Sequence, residues 1–118
     1  IEMRFCINDL SGIQLSASEL VVLLSNLLDN AIEACRRIDT ERLIRCTILE
    51  NDGSFLSIRN TSLPVLITEH GIATTKASAS EHGYGLPSVC RILDGLHAEY
   101  AYNYENGWFQ FTAEIPKK

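Results

Sequence analysis

The chain has 118 residues, the size of one ordinary domain, with a net charge of −5, 46% hydrophobic residues and 21% charged residues. This balance is typical of a globular protein and argues against binding to duplex nucleic acid, which needs a basic face to replace counterions. It leaves nucleotide binding open, because backbone N–H groups and one lysine can hold a phosphate group.

The four cysteines lie too far apart for a CxxC pair, and the three histidines do not complete a zinc pattern. We therefore expect reduced thiols buried in the core, in a reducing compartment such as the cytoplasm. No apolar run reaches the ~18 residues that cross a bilayer. We expect one domain over residues 1–118. Since the chain starts at Ile1 and not at a methionine, we also expect it to be a fragment of a longer protein.

The first half of the chain is predicted to form a strand, a helix and a hairpin. Met3, Phe5 and Ile7 alternate along the first segment, which is typical of a half-buried strand. Ser16 followed by Glu19 is a capping-box pattern that opens a helix. The predicted bounds are residues 2–8 for the strand, 16–38 for the helix, and 42–50 and 54–60 for the hairpin.

The second half is predicted to form a long loop, a second helix and a second hairpin. Pro87 falls in the first turn of the helix, where a missing N–H costs nothing, and Asn106-Gly107 is a tight-turn pair. The predicted bounds are residues 61–82 for the loop, 85–94 for the helix, and 98–104 and 108–116 for the strands. A loop of this length inside a compact domain is usually functional. The order βαββαββ predicts an α/β (α+β) two-layer sandwich with one mixed, mostly antiparallel sheet and helices on a single face.

The first helix has an apolar and a polar side. The apolar arc, which we expect to be buried, comprises Leu20, Val21, Leu24, Leu27, Leu28, Ala31, Ile32, Cys35 and Ile38. The stripe opposite it comprises Glu19, Asn26, Asn30, Glu33 and Arg37. Asparagine is a poor helix former, so two of them four residues apart call for a reason. From the helix alone, a solvated face and a ligand site are equally good interpretations. Chemically, an amide oxygen suits Mg²⁺ and an amide N–H suits a phosphate.

A glycine turn precedes the second helix directly. Gly83 and Gly85 let the backbone approach a ligand closely, and the helix start offers unpaired N–H groups to an anion. Alone, such a GxG pattern is more often a plain turn. Upstream, Thr75 and Lys76 add a hydroxyl and a cation on the loop, where they could close over phosphates.

Three segments in this order resemble the GHKL, or Bergerat-fold, ATPase domain: LLSNLLDNAIEAC (23–35), GIATTKAS (71–78) and HGYGLPSV (82–89). Within that superfamily the whole chain most resembles sensor histidine kinases of the quorum-sensing-receptor branch. The resemblance implies a catalytic domain that binds ATP with Mg²⁺ and transfers the γ-phosphoryl group to a histidine. That histidine would lie on a dimerisation domain of the same parent protein, which passes the phosphoryl group to a response regulator. The parent would be a membrane-anchored bacterial sensor with this domain in the cytoplasm.

The resemblance also assigns residues. Asn30 becomes the Mg²⁺ ligand and Asn26 supports the metal or a phosphate, and both count as catalytic. Hydrolytic relatives carry a glutamate at the position of Asn26, and an amide cannot act as a general base, so phosphoryl transfer is favoured over hydrolysis. Gly83 and Gly85 match the glycine box that holds the phosphates. The other residues placed at the nucleotide are Glu33, Thr75, Lys76, Tyr84 and Leu86.

One position departs from the usual family pattern. The DxGxG box, whose aspartate reads the adenine amino group, is absent, and Asn60 stands where the aspartate would be. An amide oxygen can accept from the amine but is an uncharged, weaker partner, so weak nucleotide binding is expected. This leaves a degenerate module that makes only protein contacts as an alternative.

Two other members of the superfamily are alternatives. An anti-sigma-factor-like serine kinase and a hydrolytic ATPase are disfavoured, because both use the glutamate that Asn26 replaces. None of the three histidines lies on a dimerisation helix, so we expect the fragment to bind ATP without being phosphorylated itself.

Overall fold

The computed structural model describes residues 1–64, 66–68, 71–73 and 85–117. These residues form β1 (Glu2–Ile7), α1 (Ala17–Cys35), β2 (Leu43–Glu50), β3 (Ser54–Thr61), β4 (Leu66–Thr68), β5 (Gly71–Ala73), α2 (Gly85–Gly95), β6 (Glu99–Glu105) and β7 (Trp108–Ile115).

Five strands form one mixed sheet in the order β1-β2-β3-β7-β6. β1 pairs with β2 in parallel, and the other neighbouring pairs are antiparallel. Both helices contact the same face of the sheet and each other, and the side chains between these layers form the core. The predicted two-layer architecture is confirmed.

The segment between β3 and α2 is more regular than expected. β3 continues to Thr61, and β4 and β5 form a two-stranded antiparallel sheet in which Thr68 pairs with Gly71. The prediction of a plain loop over residues 61–82 is therefore wrong in its first half. β4 and β5 have three residues each, which is too short for an alternating pattern to show in the sequence.

α1 begins as predicted and ends earlier than predicted. The Ser16 hydroxyl accepts from the Glu19 backbone N–H at 3.1 Å, and the Glu19 carboxylate accepts from the Ser16 N–H at 2.9 Å. At the other end the last turn tightens, because the Ile38 N–H bonds to the Cys35 carbonyl, three residues back, at 3.3 Å. The α-helix therefore stops at Cys35, although Ile38 remains buried.

The buried side of α1 is narrower than the predicted arc. Its centre is the line Leu23, Leu27, Ala31 and Cys35. Val21 is 63% exposed, contrary to the prediction, because at 100° per residue it lies roughly 160° around the helix from Leu23. Leu23, which was not in the predicted arc, is completely buried, and the other predicted members are buried or half-buried against the core.

β1 is an edge strand whose apolar side is not covered. Met3, Phe5 and Ile7 are 39%, 54% and 49% exposed, so the prediction of a half-buried strand is wrong. Their partners in the parallel register, among them Ile44 and Ile48, are buried on the helix-covered face. The two helices do not extend over β1 at the edge of the five-stranded sheet. The apolar row of β1 therefore remains in contact with solvent.

The cysteines are all free, but they do not share one environment. Cys35 and Cys46 are buried as predicted, Cys90 is half-buried, and Cys6 is exposed on β1, contrary to the prediction of core thiols. Burial raises the pKa of the Cys46 thiol to about 11. Within the described ranges, no group of histidine, cysteine and acidic side chains could hold a metal ion.

The second hairpin matches its prediction. Asn106 and Gly107 have φ values of 51° and 84°, the left-handed conformations that a two-residue hairpin turn requires. Phe111 is buried and contacts the rings of Tyr100 and Tyr102 at centroid distances of 6.1 and 5.2 Å. This cluster anchors β6 and β7 beneath α2.

Candidate functional site

Asn26 and Asn30 lie one turn apart on α1, and both are half-buried. Each follows a core residue by three positions, Leu23 and Leu27 respectively, so the amides border the buried stripe. The predicted position was the stripe opposite the apolar arc, as a solvated face or a ligand site. Their actual position is at the rim of the core.

The amide of Asn30 is the most unusual group on this rim. Its Nδ2 is buried and has no hydrogen-bond partner among the described residues, and it is the one such buried side-chain atom found there. An unpaired buried polar group costs about 1–3 kcal/mol, so it needs an explanation. Because an amide can turn by 180°, this buried end can act as a donor or as an acceptor. A phosphate or a hydrated Mg²⁺ beside Asn30 would provide a partner, so the residue fits the expected cofactors.

Glu33 lies on the same side of α1 as Asn26 and Asn30, closer to the C-terminus of the helix. Its carboxylate lies 3.9 Å from the Arg37 guanidinium, and the two side chains are 40% and 38% exposed. An ion pair with this much solvent contact contributes little to stability. Glu33 is thus a polar group with an accessible carboxylate next to Asn30.

Asn60 lies at the end of β3, on the face of the sheet that α1 covers, and is 2% exposed. Its neighbours in the sheet are Ile44 on β2 and Phe109 on β7. The Asn60 Nδ2 donates to the Thr61 carbonyl at 3.1 Å, so the Oδ1 end of the amide is the one that a ligand can use. An acceptor held in an apolar setting is what recognition of an exocyclic amine requires.

The start of α2 is the third element of the candidate site. α2 begins at Gly85, as predicted, continues through Leu86 and Pro87, and packs against α1. Its first N–H groups have no partner within the helix and favour a negative charge. Four predicted site residues lie outside the described residues: Thr75, Lys76, Gly83 and Tyr84.

A surface cavity of about 490 Å³ that is formed by described residues lies elsewhere. Its lining includes Ser54 and Phe55 at the opposite end of β3 from Asn60, and neither asparagine of α1. The amide geometry, and not cavity size, therefore identifies the candidate site.

One cluster of polar side chains, on the other face of the sheet, was not predicted from the sequence. The guanidinium groups of Arg45 and Arg59 lie 5.6 and 4.8 Å from the ring centroid of Trp108. Strand alternation puts all three on outward positions, but only the register of β2, β3 and β7 brings them together.

The sequence profile of the GHKL domain matches residues 15–116, which is most of the chain. The chain belongs to the GHKL domain family. A comparison with curated proteins gave no match. This GHKL chain is similar in fold to the catalytic domain of the histidine kinase ThkA in a nucleotide-free form, with TM-score 0.72 and 23% identity over 98% of this chain and 79% of that one.

Two further solved structures have the same fold. One is the Acinetobacter baumannii histidine kinase AdeS, with TM-score 0.71 and 16% identity over 99% of this chain and 54% of that one. The other is the mycobacterial sensor histidine kinase MprB, with TM-score 0.67 and 14% identity over 99% and 84%. The profile match shows the GHKL family, and the solved structures show that the fold is shared with catalytic domains of histidine kinases. The quorum-sensing-receptor branch stays a prediction. Neither described helix is long and apolar enough to cross a membrane.

Proposed function

We propose that this GHKL domain is the catalytic domain of a two-component sensor histidine kinase. It binds ATP with Mg²⁺ and transfers the γ-phosphoryl group to a histidine on a dimerisation domain of the same parent protein. The observation that carries the proposal is the buried amide of Asn30, which has no partner in the described part of the chain and lies one turn from Asn26.

In this proposal, the side-chain amides of Asn26 and Asn30 have different roles at the phosphates of the nucleotide. Asn30 would hold Mg²⁺ through its amide oxygen, and Asn26 would support the metal or a phosphate. When bound there, Mg²⁺ would neutralise negative charge on the phosphates. Because both amides are anchored beside core residues, they keep their orientation without rearrangement. Glu33 adds an acceptor for water at the same rim.

The choice of transfer over hydrolysis rests on Asn26. An amide cannot remove a proton from water, so this site does not activate a water molecule for attack. The nucleophile is then the imidazole of the acceptor histidine, which needs no base at neutral pH because its neutral form carries a free lone pair. Slow hydrolysis protects the nucleotide until the acceptor histidine docks.

The adenine side is assigned to Asn60. Its Oδ1 accepts from the exocyclic amine, while its Nδ2 is held by Thr61. Because the amide is uncharged, this contact is weaker than the carboxylate contact of most relatives, and nucleotide affinity is correspondingly low.

The remaining assignments involve the segment before α2 and its first turn. We assign phosphate binding to the backbone of Gly83 and Gly85 and to Thr75 and Lys76. Tyr84 and Leu86 would contact the nucleotide from the same turn. For the parent protein, we propose a membrane-anchored bacterial sensor with this domain in the cytoplasm and a response regulator as the downstream partner in the phosphorelay.

A calorimetric titration of Mg²⁺-ATP into the wild type, Asn30→Ala and Asn103→Ala tests the site. Asn103 is an exposed asparagine on β6 and is the matched control. We expect a binding heat for the wild type and for Asn103→Ala, and at least a tenfold loss of affinity for Asn30→Ala. Equal heats for all three proteins would refute the assignment of Asn30.

A degenerate module that makes only protein contacts is the second candidate, since an asparagine occupies the usual aspartate position at residue 60. It predicts no ATP-induced rise in melting temperature for the wild type, even at millimolar nucleotide. The anti-sigma-factor-like serine kinase is a third candidate, and phosphorylation of a serine in a partner protein would identify it.

A further inference from the structure

The face of the sheet turned away from the helices carries a row of like charges. In the register, Arg4 on β1 is opposite Arg45 on β2, and Arg45 is opposite Arg59 on β3. Like charges directly opposite each other destabilise a sheet. The Arg4 guanidinium lies 3.0 Å from the Glu2 carboxylate, whereas Arg45 and Arg59 have no carboxylate partner among the described residues and lie over the ring of Trp108. Arg45 and Arg59, the arginine corner of this face, can therefore still pair with carboxylates.

The diagonally opposite corner of this face carries the complementary charge. Glu99 on β6 is opposite Glu114 on β7, both are exposed, and in the described ranges neither has a cation within ion-pair distance. They line the 490 Å³ cavity together with Leu49 and Phe55, which are 37% and 36% exposed. One sheet surface thus holds both a charge pattern and its complement.

We propose that this open face binds the open face of a second copy of the chain. β3 lies between β2 and β7, with Arg59 opposite Arg45 and Phe55 opposite Glu114. Ser57, midway between Arg59 and Phe55, is therefore midway between the two charged corners. Consider a twofold axis that lies in the plane of the interface, passes over Ser57 and is perpendicular to the line from Arg45 to Glu114. This axis brings Arg45 of each copy onto Glu114 of the other.

A second copy fits this surface better than an acidic partner protein. An acidic partner would neutralise the arginines and leave Glu99 and Glu114 facing each other without a cation. A twofold dimer satisfies both corners at once, and self-complementarity of a single patch is the condition for such an interface. Phe55 and Leu49 add apolar contact near the axis.

The size of the face sets the strength of the dimer. Five strands at ~4.8 Å spacing and about seven residues at ~3.3 Å each give a face of roughly 24 × 23 Å, or about 1,100 Å² buried by two copies. This area is at the low end for specific interfaces. The dimer is therefore weak and reversible, and the two charged corners set its geometry.

Charge reversal tests the proposal on the 118-residue chain. Sedimentation velocity of the wild type from about 10 μM to about 1 mM is expected to show a monomer–dimer equilibrium. Arg45→Glu and Glu114→Lys each place like charges together twice across the twofold axis, so each is expected to weaken the dimer at least roughly tenfold. An equimolar mixture of these two variants restores both ion pairs and is expected to form a heterodimer.

Controls with the same charge changes lie away from this face. Arg91→Glu on α2 and Asp39→Lys after α1 are exposed positions, and both are expected to dimerise as the wild type does. If either test variant fails to fold by circular dichroism, Arg59→Glu with Glu99→Lys gives the same test. A wild type that stays monomeric throughout, single variants that dimerise normally, or a mixture that stays monomeric would each overturn the proposal.

Discussion

The thiol of Cys35, the last residue of α1, lies 3.6 Å from the carbonyl oxygen of Thr61, the last residue of β3. This contact fixes the end of the helix over the end of the strand. Asn30 is five residues upstream on the helix and Asn60 is adjacent on the strand, so the contact also sets the two halves of the candidate site relative to each other.

Replacing this thiol is expected to reduce stability. Cys35 is completely buried, so Cys35→Ala leaves a small cavity and removes the contact with Thr61. We expect the free energy of unfolding to fall by about 1 kcal/mol in urea denaturation. Cys6→Ala, at an exposed position, is the control and is expected to change it by less than about 0.5 kcal/mol.

Asn30→Ala is expected to stabilise the nucleotide-free protein. Alanine removes a buried polar atom without a partner and is a better helix former, which together raise the free energy of unfolding by about 0.5–1 kcal/mol. Since the same change is expected to weaken nucleotide binding at least tenfold, stability and nucleotide affinity should move in opposite directions. A loss of stability equal to that of an ordinary core truncation would show that Asn30 is a structural residue.

Asn60→Asp is expected to strengthen binding of ATP. A carboxylate is a charge-assisted acceptor for the adenine amine, and we expect affinity to rise about five- to tenfold in fluorescence titrations with labelled ATP. GTP, which has an oxygen at the corresponding position, is the control ligand and is expected to gain nothing. Without nucleotide the variant is expected to melt at a lower temperature, since it buries a carboxylate.

The pH dependence of stability is expected to include a contribution from Glu19. Hydrogen bonds from the Ser16 backbone N–H and then from its hydroxyl lower the Glu19 pKa below its ordinary value of 4.5. A lowered folded-state pKa gives stability that is present above pH 4.5 and is lost as the pH falls through the folded-state pKa. Urea denaturation from pH 3 to pH 7 should show this loss in the wild type. A Glu19→Gln curve with an equally steep acid limb would contradict it.

The helix orientation can be tested by two truncations. Leu23→Ala is expected to lower the free energy of unfolding by about 2–5 kcal/mol, because the side chain is completely buried. Val21→Ala is expected to change it by less than about 0.5 kcal/mol, since Val21 is 63% exposed. Thermal or urea denaturation of both variants gives the comparison, and the reverse order would mean that the broad apolar arc was correct.

Local patterns predicted the elements that local physics controls. The capping box at Ser16 and the Asn106-Gly107 turn each involve residues that are close in sequence, and the structure has both. The two-layer arrangement followed from the order of the elements. The three segment motifs also predicted the GHKL family, which the profile match confirms.

What the sequence could not give depends on contacts between distant segments. The apolar pattern of β1 does not reveal that the helices stop short of the sheet edge, so Phe5 was expected to be half-buried. The apolar arc of α1 is wide enough to include Val21, and only packing against the sheet selects Leu23 as its centre. The charged rows on the open face appear only once Arg45 is known to pair with Arg59.

The pairing of β3 with β7 joins distant parts of the chain, with Ser54 opposite Ile115. The hairpins β2–β3 and β6–β7 can form quickly because their contacts are local, whereas the ladder between them must close a long loop first. Asn60 belongs to that ladder, opposite Phe109. We therefore expect the proposed adenine end of the site to be assembled late in folding, and during synthesis only after β7 has left the ribosome.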